Sequence, residues 1–231
     1  MHNKLVELLL EHYDNMGGDI QDEIKEIEEH IHKSLELNKG VENDAYEYKI
    51  RMYKLKYRNN LDELKQHQDE LCKELQKIAP WHPNVLYVFD LCDKLSEKMI
   101  KESIDFYSKS DDNIAIEKCY IHLLNFYSKN TSYNFDNILD IIRKYETEYE
   151  PSTDYQVKKG IILEQYEYLK DALEIFDSVE ETEQIIIQKM KILSYLELTD
   201  QFENLYNKVH KSPTVIKFYY ELSNQYKEFI D

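Results

Sequence analysis

The chain contains only four glycines and four prolines among its 231 residues. A sheet protein of this length needs Gly and Pro at many turns, so their scarcity nearly excludes an all-β fold. Apolar residues recur instead at helical spacing, as in Val85, Val88, Phe89 and Cys92. Spacing of this kind places an apolar stripe along one side of a helix. The sequence therefore predicts an all-α fold.

The helical segments follow one another with short breaks and pair as antiparallel hairpins. Asn60 and Ser152 are good N-cap residues, and Ser212 with Pro213 forms a cap followed by a first-turn proline. The hairpins recur about every 35–40 residues, which is typical of a tetratricopeptide-like helical-repeat solenoid. A compact, irregular helical domain is the structural alternative.

Domain organisation follows from the lack of a linker. No Pro-, Gly- or Ser-rich stretch divides the chain. We therefore expect a single helical-repeat domain over 1–231, with a sheet of hairpins over 1–150 and a C-terminal helical bundle over 151–231.

The charge balance limits the classes of partner. The chain has 29 Lys and Arg residues against 46 Asp and Glu residues, a net charge of −17. Nucleic-acid binding needs a basic surface to neutralise phosphates, so this balance argues against it. The chain shows neither a membrane-spanning apolar run nor a secretory signal pattern, and its three cysteines lack metal or redox spacing. We expect a cytoplasmic protein with at most peripheral membrane contact.

Residue patterns that support catalysis or metal binding do not occur in the sequence. His30 and His32 diverge by about 200° on a helix, so the two imidazoles cannot share a metal ion. The sequence has no Gly-rich phosphate loop, nucleophile elbow or supported Cys–His pair. We expect a non-enzymatic protein without catalytic residues, metal or cofactor.

Charges of opposite sign are segregated along the chain. Arg51, Lys54 and Arg58 follow one another at i, i+3 and i+7, which predicts one basic helix face. Residues 164–183, by contrast, carry many carboxylates and a single basic residue, Lys170. Solvation alone explains many such faces, but two clusters of opposite charge on one scaffold favour two partners of opposite charge.

Three segments resemble the alpha-SNAP (soluble NSF attachment protein) family. SIDFY at 103–107 resembles the family's A-I-x-x-Y helix, and IEKCYIH at 116–122 resembles the N-K-C helix that follows. DYQVKKG at 154–160 resembles the K-D-Y-F-x-K segment at a similar distance. The order and spacing of these segments carry the resemblance, which covers roughly residues 85–230.

The resemblance implies an adaptor that binds the SNARE four-helix bundle through a basic concave face. It also implies recruitment of the AAA+ ATPase NSF, through acidic residues at the C-terminal end, for SNARE disassembly in vesicle fusion. Together with the basic clusters, the SNARE-binding candidates are Arg51, Lys54, Arg58, Lys118, His122, Lys158, Lys159 and Lys189. The ATPase-contact candidates are Glu181, Glu183, Asp200, Glu228 and Asp231.

A second hypothesis from the residues is a bacterial tetratricopeptide-type regulator that senses peptides or binds proteins. Such a protein needs Asn and Arg side chains in a concave groove to clamp a peptide backbone. The chain has three arginines, Arg51, Arg58 and Arg143. Tight peptide binding would favour this hypothesis over the adaptor.

Overall fold

The structure is a computed structural model that describes residues 6–7, 9–10, 21–37, 40–41, 44–130, 132–209 and 211–228. Within these ranges the chain forms twelve α-helices and no strand, which confirms the all-α class. The chain divides into two compact units, Met1–Asn130 and Thr131–Asp231, called unit 1 and unit 2 below. The helices of unit 1 are α1 (Gln21–Leu37), α2 (Ala45–Lys56), α3 (Leu61–Ile78), α4 (Pro83–Leu91), α5 (Glu97–Ser108) and α6 (Asn113–Lys129). Those of unit 2 are α7 (Phe135–Glu148), α8 (Thr153–Gln165), α9 (Leu169–Ser178), α10 (Glu183–Tyr195), α11 (Thr199–Lys208) and α12 (Pro213–Glu228).

The helices of unit 1 pack mainly against their neighbours in sequence. Helix α2 contacts α1, α3 and α4, and α6 contacts α4 and α5. One apolar cluster joins α1 to α2 around Ile27 and Met52. A second cluster joins α2, α3 and α4 around Ile50, Leu75 and Val85. The predicted apolar stripes thus form the cores of this unit.

Side chains cap the first turns of α3 and α6, as was predicted for Asn60. The Asn60 side chain accepts a hydrogen bond from the backbone N–H of Glu63 at the start of α3. Asp112 caps α6 through the N–H of Ala115 at 3.0 Å. Each of these bonds satisfies a backbone donor that the first turn of a helix leaves without an intrahelical partner.

In unit 2, the N-caps of α8, α10 and α12 recur with a fixed spacing that was not predicted from the sequence. Ser152, Thr182 and Ser212 each accept a hydrogen bond from the N–H three residues on, at the start of α8, α10 and α12. The caps therefore recur every 30 residues (152, 182, 212), a shorter period than the predicted one of about 35–40 residues.

The turns between paired helices of unit 2 repeat with the same spacing. Glu167 follows α8 with φ 65° and Glu197 follows α10 with φ 55°, both left-handed. The N–H of Tyr168 then donates to the Leu163 carbonyl at 2.9 Å, and Leu198 donates to Leu193 at 3.0 Å. These bonds close a Schellman-type helix end, in which a left-handed residue reverses the chain direction. Two successive hairpins of unit 2 are therefore built alike.

Candidate functional site

The basic residues predicted on one face of α2 divide between the helix and the turn that follows it. Arg51 and Lys54 lie one turn apart on α2, but the helix ends at Lys56, and Arg58 lies in the turn. The prediction that all three share a helix face was therefore wrong for Arg58. Lys54 is exposed and forms no ion pair within the described residues, so its charge is available to a partner.

Lys118 and His122 lie one turn apart on α6, in different environments. Lys118 is exposed, whereas Nδ1 of His122 is shielded from solvent and has no hydrogen-bond partner. Burial lowers the pKa of His122 to about 4, although the nearby Asp90 carboxylate acts in the opposite direction. His122 is therefore neutral at pH 7 and contributes no positive charge there.

Two of the three basic candidates in unit 2 are paired with carboxylates of the same unit. Lys159 of α8 binds Glu146 of α7 at 2.7 Å. Lys189 of α10 is 9% exposed and binds Asp177 at 2.7 Å and Glu181 at 2.9 Å. These pairs hold neighbouring helices together, so both ammonium groups are already engaged.

The charge environment of Lys189 favours its protonated form despite burial. Burial acts to lower the pKa of Lys189, but hydrogen bonds and the negative charges of Asp177 and Glu181 outweigh it, so the pKa is raised. Lys158 is partly buried and also contacts other groups of the protein. Arg58 is exposed but also contacts other groups of the protein. Lys54 and Lys118 are the exposed basic candidates that form no ion pair within the described residues.

The acidic candidates do not form a single cluster of free carboxylates. Glu181, an ATPase-contact candidate, forms an ion pair with Lys189, a SNARE-binding candidate. Glu183 and Asp200 are exposed in the first turns of α10 and α11. Glu228 ends α12 and its side chain lies outside the described atoms; Asp231 lies outside the described residues.

An apolar groove, called the unit 2 groove, lies between α7, α8 and α9. Its apolar lining was not predicted from the sequence. This lining consists of Phe135, Leu139, Leu163 and Ile175, and the groove is an open depression with a volume of about 460 Å³. At one end the Phe135 ring stacks on Tyr168 with a centroid distance of 4.3 Å. This volume lies within the range of roughly 300–1,000 Å³ found for ligand pockets.

The rim of the unit 2 groove is negatively charged along α9. Asp171, Glu174 and Ser178 lie at i, i+3 and i+7, so they share one exposed face. Neither carboxylate forms an ion pair within the described part of the chain. Lys159, the one cation lining the groove among these residues, is neutralised by Glu146. The acidic run at 164–183 was the sequence signal for this rim, but the apolar lining of the groove depends on helix packing.

Among the described residues, no group of three or more His, Cys, Asp and Glu side chains is arranged to hold a metal ion. None of the helices described is both long enough and apolar enough to cross a bilayer.

Comparison with known proteins adds no assignment to these surfaces. No protein-family model, curated protein or solved structure matches the chain.

Proposed function

We propose that this chain is a non-enzymatic adaptor, a helical scaffold that brings other proteins together. The observation that carries this proposal is the repetition of capped helix hairpins in unit 2, with N-caps at 152, 182 and 212. Stacked helical hairpins provide long surfaces on which other proteins bind, and they recur widely in scaffold proteins.

The proposed hairpin type is tetratricopeptide-like, with stacked repeats forming a solenoid. Ala172 and Phe176 on α9 are fully buried and match the A-x-x-x-F element of that repeat. Gly160 on the preceding helix packs against the Phe176 ring, which agrees with the small residue that the repeat has on its first helix. The 30-residue spacing is shorter than the 34 residues typical of the repeat, so the hairpins would be a compact variant.

The proposed partners are those implied by the alpha-SNAP resemblance: an acidic SNARE four-helix bundle and an NSF-like ATPase. Lys54 and Lys118 support the first contact because both are exposed. Glu183 and Asp200 support the second, as exposed carboxylates on successive helices of unit 2. Exposed charge pairs contribute only about 0.2–1 kcal/mol each, so such binding would weaken strongly with salt.

A pull-down of the full chain with assembled SNARE bundle tests the first contact. We expect capture at about 50 mM salt and little at about 300 mM salt. Lys54→Glu with Lys118→Glu should reduce capture at least about tenfold, because the variant repels the acidic bundle. Lys170→Glu together with Lys77→Glu makes the same change in net charge elsewhere and should reduce capture less than about threefold.

Two outcomes would contradict the SNARE-binding proposal. One is no capture at either salt concentration, and the other is an equal loss in both double variants. If capture is seen, adding the ATPase and ATP tests the second contact. Glu183→Lys with Asp200→Lys should then abolish bundle disassembly while leaving bundle capture unchanged; disassembly at the unmodified rate would overturn the assignment of these carboxylates.

A further inference from the structure

The unit 2 groove differs from the charged surfaces above because its base is apolar. Phe135 and Leu139 of α7 line the groove together with Leu163 of α8 and Ile175 of α9. Tyr168 extends this surface and remains 46% exposed although its ring stacks on Phe135. Burying such a surface stabilises a complex by about 25 cal/mol per Å² of apolar area removed from water.

The charge around the groove determines which sign of charge a bound segment should carry. Asp171 and Glu174 line one side without ion-pair partners among the described residues. Lys159 and Glu146 neutralise one another on the side of α7 and α8. The groove therefore offers an apolar base with uncompensated negative charge along one edge. A complementary segment presents large apolar side chains next to Lys or Arg.

The helices that line the groove also indicate the backbone conformation of its occupant. The groove is formed by α7, α8 and α9, whose backbone groups are bonded within those helices. It therefore offers no sheet edge to which an extended peptide could add as a strand. An amphipathic helix satisfies its own backbone and can insert apolar side chains into a groove between helices.

We infer that the unit 2 groove binds a basic amphipathic helix of a partner protein. Apolar side chains of that helix contact Phe135, Leu139 and Ile175, and its Lys or Arg residues lie against Asp171 and Glu174. This inference goes beyond the proposed adaptor function, since it concerns residues that neither proposed contact uses.

The experiment measures binding of a fluorescent amphipathic peptide to the full chain by polarisation. The probe is a leucine–lysine peptide of about 14 residues in helical register, and a leucine–glutamate peptide of the same pattern is its counterpart. We expect the lysine peptide to bind with micromolar Kd and the glutamate peptide to bind at least about tenfold more weakly. At about 300 mM salt the lysine peptide should keep measurable affinity, because its apolar contacts are not screened.

Matched variants separate the groove from general attraction to an acidic chain. Asp171→Lys with Glu174→Lys should weaken binding about tenfold or more. Glu102→Lys with Asp105→Lys, on α5 of unit 1, changes the net charge equally and should change the Kd by less than about twofold. Ser178→Trp fills the groove from an exposed position without changing charge, and we expect it to weaken binding about tenfold.

The inference is overturned by equal weakening in the two charge-reversed variants, by unchanged binding in Ser178→Trp, or by no binding of the lysine peptide. Circular dichroism of each variant checks that the helices remain folded. The SNARE-bundle pull-down uses different residues, so failure of either experiment does not predict failure of the other.

Discussion

Gly160 of α8 lies directly against the aromatic ring of Phe176 of α9. A Cβ atom placed on Gly160 would lie 2.8 Å from Cε1 and 2.9 Å from Cζ of that ring. Phe176 is fully buried within an apolar cluster that includes Leu163 and Ile192. The ring therefore has little room to move, and the absence of a side chain at 160 sets how closely the two helices approach.

Gly160→Ala should destabilise unit 2 by about 1–2 kcal/mol. Overpacking of a filled core costs about 1–3 kcal/mol, while Ala gains up to about 1 kcal/mol over Gly from helix propensity. Urea unfolding followed by circular dichroism measures the difference. Adding Phe176→Leu to Gly160→Ala should cost less than the sum of the single changes, because the smaller side chain makes room for the methyl group. A more stable Gly160→Ala variant would contradict the packing argument.

Glu197→Gly should stabilise the chain by about 0.5–1 kcal/mol. Glu197 has φ 55° and is exposed at the end of α10. A left-handed conformation is strained for residues with a Cβ atom and free of that strain for Gly. Urea unfolding of Glu197→Gly and Glu197→Ala separates the causes, because Ala removes the charge but keeps the Cβ atom. An equal gain in both variants would assign the effect to the charge.

Local features of the fold were predictable because they involve residues close together in sequence. The cap at Ser152 depends on the N–H of Tyr155, three residues away. The apolar spacing that predicts α4 likewise depends only on positions within the helix, and Val85 and Val88 are both buried. The all-α class could be predicted from this spacing, and the pairing of successive helices follows from the short connections between them.

The candidate site was less predictable because its properties depend on contacts between helices. Lys189 is a SNARE-binding candidate from the sequence, whereas packing brings Asp177 and Glu181 to its ammonium group. Lys159 occupies the equivalent position one repeat earlier (159 + 30 = 189) and pairs instead with Glu146. Equivalent sequence positions thus acquire different partners, and neither pairing follows from residue spacing.

Lys189→Glu should destabilise the chain by about 2–3 kcal/mol at pH 7. It would place a third carboxylate beside Asp177 and Glu181, where the ammonium group is now held at 2.7 and 2.9 Å. Breaking a buried pair costs about 3–5 kcal/mol, and the partial exposure of both carboxylates reduces that cost. Urea unfolding measures the change, with the exposed Lys170→Glu as a control expected to cost less than about 0.5 kcal/mol.

A loss of SNARE-bundle capture in Lys189→Glu has to be compared with its loss of folding before it is assigned to binding.

His122 should make the stability of unit 1 depend on pH between about 6.5 and 4. Burial lowers its pKa in the folded chain from 6.5 to about 4, so in this window the unfolded chain binds more protons. Stability is therefore fully present above pH 6.5 and is lost as pH falls toward 4. The charged groups around it, Asp90, Lys129 and Lys118, act in opposite directions and do not reverse the effect of burial.

His122→Gln isolates this contribution, because Gln does not titrate and retains a polar side chain. The free energy of unfolding is measured in urea at pH 7 and at pH 4.5. The decrease between these two pH values should be about 2 kcal/mol smaller in the variant than in the parent chain. Glu47 and Glu164, whose pKa values are raised chiefly by burial, titrate in both proteins and cancel in this difference. Parallel pH profiles would show that the imidazole becomes protonated without cost, and hence that Nδ1 of His122 is open to water in solution.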